Sequence, residues 1–167
     1  MTVTSTGAVD VAARFDRVSA VYDETREPLT SEEVERLADL LKERGVKSIL
    51  EVGVGTGRIA LPLLERGFEV YGVDLSNGML QKAKAKGMKD ILLGDANQLP
   101  FGDKAFDGVV LAHVIHLLDD PSETFGRLSR ASRRYIVAIV RKRDWDVPPS
   151  EEGRNRLWEL FRQAAEA

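Results

Sequence analysis

The chain contains no cysteine and only two histidines, His113 and His116. The first absence excludes disulfides, thiolate zinc sites and cysteine nucleophiles, and the second leaves little material for a metal centre, so no structural metal is expected. Long apolar runs are also missing. Nothing approaches the roughly 20 residues needed to cross a bilayer, and no membrane role is indicated. Met1 to Asp10 has neither a basic start nor an apolar core. It reads as a flexible polar tail over residues 1–10, not as a secretion signal, and points to a cytoplasmic protein. Net positive charge is lacking as well: the formal balance is −3, which speaks against a globally basic nucleic-acid binder.

What is there is enough for one core and too little for two ordinary domains, since the chain has 167 residues. Residues 11–167 are therefore expected to form a single domain. Its charge is unevenly spread. Seven basic residues (Arg127, Arg130, Arg133, Arg134, Arg141, Lys142 and Arg143) follow one another with no acidic residue between them. Such a cluster can track the phosphates of RNA, but Arg127, Arg130 and Arg134 also fit a solvated helical face and its end, which is the preferred reading.

The apolar periodicity alternates between helical and strand type, which implies a parallel sheet covered by helices. Thr30 and Glu33 form a capping-box pattern, Val34, Leu37, Ala38 and Leu41 repeat on one face, and Gly45 supplies a stop, so a helix is predicted over 31–44. Strands are predicted at 48–52, 69–73, 91–93, 106–112 and 135–140. Helices are predicted after the first strand as far as Arg66, from Ser76 to Gly87, from Pro121 to Ser132 and from 151 to 164. Pro62, just past the first turn of its helix, is expected to bend the axis. The fold class is α/β, with a doubly wound, mainly parallel sheet of about five strands.

The chemistry concentrates where these strands end. Gly53-Val54-Gly55-Thr56-Gly57 lies between a strand and a helix, where a doubly wound sheet needs a tight turn and close approach to a ligand. Asp74 ends the second strand 21 residues after Gly53, near the spacing of about 20 at which a carboxylate reaches a ribose diol. Asp95 follows the third strand, beside Ala96, and can accept from an adenine amine. Glu51 precedes the glycines by two residues. Its anion opposes a pyrophosphate and favours an amino-acid cation and a sulfonium. The glycines are spaced G-x-G-x-G, not in the G-x-G-x-x-G register of dinucleotide binders. Both features favour S-adenosylmethionine over NAD.

Taken together, Leu50-Glu51-Val52-Gly53-Val54-Gly55-Thr56-Gly57-Arg58, Tyr71-Gly72-Val73-Asp74-Leu75-Ser76, Gly94-Asp95-Ala96, Leu99-Pro100-Phe101 and Phe106-Asp107 resemble the class I S-adenosylmethionine-dependent methyltransferases. The likeness is to the branch that methylates small molecules, and it runs from about Phe15 to Val140. It implies a cofactor site in which Gly53 and Gly55 approach the methionine part and Glu51 helps hold its amino-acid end. Asp74 would clasp the ribose, Leu75 would pack on the adenine, Asp95 and Ala96 would edge the base, and Ala112 would be a further cofactor-binding residue. S-adenosylhomocysteine is then the product. Phe15-Asp16 and Tyr22-Asp23 resemble the family's amino-terminal cover, with Tyr22 closing the pocket or anchoring a helix. His113 and His116, after the fourth strand, are the candidates for orienting an acceptor or removing its proton; His116, among apolar neighbours, also suits a structural role.

Relatives of this kind continue into two further strands beside the fifth, and here the usual carboxyl-terminal strands are not visible. The fifth strand is then an apolar edge, which predicts pairing with another chain in a homo-oligomer, cover by the final helix, or truncation. A small-molecule acceptor is the expected partner. The alternatives are an RNA methyltransferase and a module that binds the cofactor without transferring its methyl group.

Overall fold

The computed structural model describes residues 6–26 and 29–139. In chain order these form α1 (Thr6–Val18), a 3-10 turn (Asp23–Thr25), α2 (Ser31–Glu43), β1 (Ser48–Val52), α3 (Ala60–Glu65), β2 (Glu69–Asp74), α4 (Asn77–Ala85), β3 (Ile91–Leu93), β4 (Phe106–Ala112), a second 3-10 turn (Ile115–Leu117), α5 (Pro121–Ala131) and β5 (Ser132–Ile139). The helix expected over 151–164 lies outside the described residues.

The strands make one sheet in the order β3-β2-β1-β4-β5, and every pairing is parallel. The chain leaves central β1 on one side through α3 and β2, and later returns to its other side as β4. The topological switch, where such sheets open a crevice, therefore lies at the carboxyl ends of β1 and β4. Alternation along β1 divides the core. Ile49 packs with Leu41, Leu63 and Ala83 from α2, α3 and α4, whereas Leu50 and Val52 pack with Phe125 and Leu128 of α5. Each of the Ile, Leu, Val and Phe side chains, fully buried, contributes about 1.5–3 kcal/mol.

Local chemistry explains where the helices start and stop. The Thr30 hydroxyl accepts from the Glu33 N–H at 3.2 Å while Glu33 Oε2 accepts from the Thr30 N–H at 2.8 Å, closing the capping box at the start of α2. Helices α2, α3 and α4 end alike. A glycine N–H reaches back to Lys42, Leu64 or Lys84, and the next residue, Val46, Phe68 or Met88, bonds to Leu41, Leu63 or Ala83. This paired capping turns the chain sharply into the core.

Three expectations need correction. Residues 6–10, assigned to the polar tail, are the first turns of α1. This helix is fixed from outside its own sequence: Asp16 Oδ1 accepts from Ser76 Oγ at 2.6 Å and from the Gly78 N–H at 2.8 Å. Pro62 does not kink α3, because the helix begins at Ala60. That puts proline in the first turn, where its missing N–H has no intrahelical carbonyl to meet. Strand β5 begins at Ser132, three residues before the predicted start, directly from the end of α5. It is the outer strand on its side of the sheet among the described residues.

The Phe106-Asp107 motif is structural. Asp107 Oδ2 accepts from the Lys47 and Ser48 N–H groups, each at 3.0 Å, and Oδ1 pairs with Arg133 at 2.9 Å. The pair accounts for one member of the basic cluster. Arg127, bonded to Glu123 at 2.6 Å, accounts for another.

Candidate active site

The carboxyl ends of β1 to β4 and the amino-terminal segment 11–22 enclose one cleft, with about 850 Å³ of empty space counting its open mouth. Gly53, Gly55, Asp74, Leu75, Asp95, Ala96, Ala112 and Tyr22 all lie on its wall, as does His113. The two remaining candidates do not. Glu51 is only 2% exposed and sits in the core beneath the turn, and His116 is exposed on the 3-10 turn, off the wall. The tie of His116 to an apolar core, inferred from its neighbours, is therefore absent as well.

The two leading glycines serve different ends. Gly53 adopts φ +70°, and a β-carbon there would collide with the side chain of Val114. Gly55 adopts φ +54°, but a β-carbon there would meet nothing nearer than the Gly53 carbonyl at 4.0 Å. Gly53 thus admits a protein side chain, and Gly55 leaves bare backbone facing the cleft. The turn is pinned at its base, where the Gly53 and Val54 N–H groups both donate to the Val73 carbonyl at 2.8 and 3.0 Å.

Asp74 is built into that turn. Its Oδ2 accepts from the Gly55 N–H at 2.8 Å and its Oδ1 from the Ser76 N–H at 2.9 Å. Burial pushes its pKa above the ordinary carboxylate value, and the nearby Asp16 charge adds to this, against the opposing effect of the Ser76, Gly55 and Leu75 N–H groups. Glu51 is more strongly perturbed. Burial, and then the Asp74 charge, push its pKa up to about 8, opposed by the N–H of Ala60 at the start of α3. Its Oε2 is buried without a hydrogen-bond partner among the described residues. An orphaned buried carboxyl oxygen beside a second acid is a site that gains from a nearby positive charge.

Asp95 is shaped by a local turn, its Oδ1 accepting from the Asn97 N–H at 2.8 Å. Asn97 in turn accepts from the Thr124 hydroxyl at 2.6 Å, which ties this wall to α5. Across the cleft, Phe15 and Tyr22 meet edge to face with centroids 6.1 Å apart. Each is followed by an aspartate that clamps the segment down. Asp16 holds the start of α4, and Asp23 accepts from the Thr56 hydroxyl at 2.5 Å and pairs with Lys86 at 2.5 Å. No lysine or arginine lines the cleft among the described residues, whereas Asp74, Asp95 and Asp119 do. That balance suits a cationic ligand and opposes a pyrophosphate.

Several wall residues escaped the motif reading: Val11, Met79, Asn97, Val114, Leu117 and Leu118. Two signals could have found some of them. Val11 and Phe15 are spaced i, i+4, as on one helical face, and 114–118 is an apolar run directly after a strand end.

Comparison with known proteins gives this geometry its context. A family model described as a methyltransferase domain matches residues 50–135. A demethylmenaquinone methyltransferase from Renibacterium salmoninarum is 30% identical over 129 residues, 74% of this chain and 54% of that protein. A phosphatidylethanolamine N-methyltransferase from Cereibacter sphaeroides is 31% identical over 139 residues, 79% of this chain and 68% of that protein. The chain thus spans about half the length of the first relative and two thirds of the second. Among solved structures, the magnesium protoporphyrin IX methyltransferase of Synechocystis with bound S-adenosylmethionine aligns with TM-score 0.66 at 18% identity, covering 86% of this chain and 80% of that one. Sheet order, cleft and matched residues agree: the chain belongs to the class I S-adenosylmethionine-dependent methyltransferases.

Proposed function

We propose that this protein transfers the methyl group of S-adenosylmethionine to a small-molecule acceptor bound at the mouth of the cleft. The observation that carries this reading is that bare Gly55 backbone and the carboxylates of Asp74 and Asp95 line one cleft with no lysine or arginine on its described wall. In it, Asp74 accepts from the ribose hydroxyls with the lone pairs its N–H partners leave free. Leu75 and Ala96 flank the adenine, Asp95 accepts from its amine, and Ala112 closes the edge. Glu51 acts through the field and not by contact, its buried carboxyl favouring the positive end of the ligand from beneath the turn. Tyr22 and Phe15 cover the site and exclude water.

S-adenosylmethionine brings an activated methyl group on a sulfonium leaving group, so the chain's task is to align the acceptor and keep the site dry. The first relatives act, by their names, on a quinone precursor and a phospholipid headgroup. Their chemistry differs enough that a small organic acceptor is what they support in common. Titration calorimetry tests the cofactor reading. Saturable binding of S-adenosylmethionine and S-adenosylhomocysteine, with none of NAD, is expected; binding of NAD alone overturns it.

A further inference from the structure

We propose that Glu51 lets the site sense the charge of the methyl donor, ionised while S-adenosylmethionine is bound and protonated while S-adenosylhomocysteine is bound, so that loss of the methyl group loosens the hold on the product; this rests on the cofactor reading above. The two ligands share the adenosine and the amino-acid end. They differ by one methyl group and one positive charge, and the contacts assigned to Asp74, Leu75 and Asp95 meet only the shared parts. A group that responds to charge can tell the two apart.

Glu51 is placed to respond. The next two residues in the chain, Val52 and Gly53, line the cleft, whereas Glu51 itself is 2% exposed and turned to the core. Across the sheet it lies between Gly72 of β2 and Val110 of β4. The space over Gly72 is filled by Val54 and Met88, since a β-carbon there would come within 2.8 Å of each. The faces that α2, α3 and α4 turn to this core are apolar too: Leu37, Ala38, Leu63 and Leu80. The Ala60 N–H donates to the carboxyl, and Oε2 has no hydrogen-bond partner among the described residues.

The charged groups around it leave Glu51 without a counterion. Asp74 on β2 opposes its ionisation, Asp16 on α1 adds to the negative field at Asp74, and Lys86 at the end of α4 is paired with Asp23. Burial and the Asp74 charge therefore keep the Glu51 proton in place up to about pH 8. A positive charge across the glycine turn reverses that balance, because charges act more strongly through packed protein than through water. One proton then leaves Glu51 for solvent as the sulfonium ligand binds, and one returns from solvent after the sulfonium has become a neutral sulfide. Glu51 hands no atom to the methyl group or the acceptor, and its own protons balance over the cycle.

Calorimetry of the full chain in buffers of different ionisation enthalpy counts the protons exchanged on binding. Near neutral pH, S-adenosylmethionine should release up to about one proton per site and S-adenosylhomocysteine markedly fewer. Sinefungin, which carries an ammonium group in place of the methylated sulfonium, should behave as S-adenosylmethionine does. Between about pH 6 and 7 the affinity for S-adenosylmethionine should rise by up to about tenfold while that for S-adenosylhomocysteine stays level. Glu51→Gln keeps the shape of the side chain and cannot ionise. It should abolish the difference in proton release and the pH dependence, and lower the preference for S-adenosylmethionine over S-adenosylhomocysteine by about tenfold near pH 7. Should that variant not fold, the pH dependence of the two affinities in the unchanged protein decides. Equal proton release with the two ligands, equal pH dependence of their affinities, or a release that survives in Glu51→Gln each overturns the inference while the cofactor reading stands. Failure to bind S-adenosylmethionine removes both.

Discussion

Glu51 on β1 and Asp74 at the end of β2 are two acids within electrostatic reach of each other, and the Asp74 charge helps burial hold the Glu51 proton up to about pH 8. In the unfolded chain that proton leaves near the ordinary glutamate value of 4.5. Between those values the folded state binds more protons than the unfolded state, so stability should fall as pH rises, by at most about 1.4 kcal/mol per pH unit for this group. Asp107 works in the opposite sense. Its N–H partners, together with Arg133, hold it at about 2 against an ordinary aspartate value of 3.8, so its contribution is lost as pH falls through about 2. Thermal melts of the ligand-free protein should therefore peak between these windows. Glu51→Gln should flatten the decline from pH 4.5 to 8, and saturating S-adenosylmethionine should flatten it too, since its positive charge favours ionised Glu51. A decline that persists unchanged in Glu51→Gln would place the titrating group elsewhere.

Asp74 carries a second prediction. Asp74→Ala should weaken S-adenosylmethionine binding by about 1–3 kcal/mol, the scale for hydrogen bonds to a charged group. The same carboxylate holds the Gly55 and Ser76 N–H groups, so a thermal melt must accompany the titration. An equal loss in affinity for S-adenosylhomocysteine is expected, because both ligands share the ribose. A dissociation constant unmoved by the substitution would assign Asp74 to the turn alone.

The amino-terminal cover supplies a third. Asp16 and Asp23 fasten it at two points, one on α4 and one on Thr56 and Lys86. Releasing the second point with Asp23→Ala should leave the sheet intact but lower the hydrogen-exchange protection of residues 11–22. The dissociation rate of bound cofactor should rise several-fold, since loosening a cover acts on release more than on entry. Stopped-flow displacement measures that rate directly. An unaltered rate would mean that Phe15 and Tyr22 stay seated without the clamp.

Much of this was legible in the chain itself. The central strands β1, β2, β3 and β4 and the start of α2 follow from local signals, apolar runs bounded by glycine and a capping box, which act over a few residues and leave a pattern in the text. The positions that departed from expectation are governed by partners far along the chain. Helix α1 is fixed by an aspartate bonding 60 residues away at Ser76, so residues 6–10 look featureless on their own. Glu51 sits in an acidic motif, yet alternation along β1 turns it toward the core while Gly53 and Gly55 face the crevice. His113 and His116 both follow β4 in the sequence, and only His113 lies on the cleft wall.

Gly53 offers the most direct check on how the turn is assembled. Ligand approach alone would make Gly53 and Gly55 equally sensitive to a methyl group, but the packing distinguishes them. Gly53→Ala combines a left-handed backbone with a collision against Val114, and overpacking of this kind costs about 1–3 kcal/mol in addition to the backbone strain. Gly55→Ala meets open space, so it should cost only about 1 kcal/mol of strain while protruding into the cleft. The first variant should chiefly lower the melting temperature and the second chiefly weaken cofactor binding. Shortening the opposing side chain tests the cause: Val114→Ala should recover part of the stability lost in Gly53→Ala and none of that lost in Gly55→Ala. If the double-mutant coupling at Gly53 and Val114 is zero, the collision is relieved by backbone movement and the glycine is needed for its dihedral angle alone.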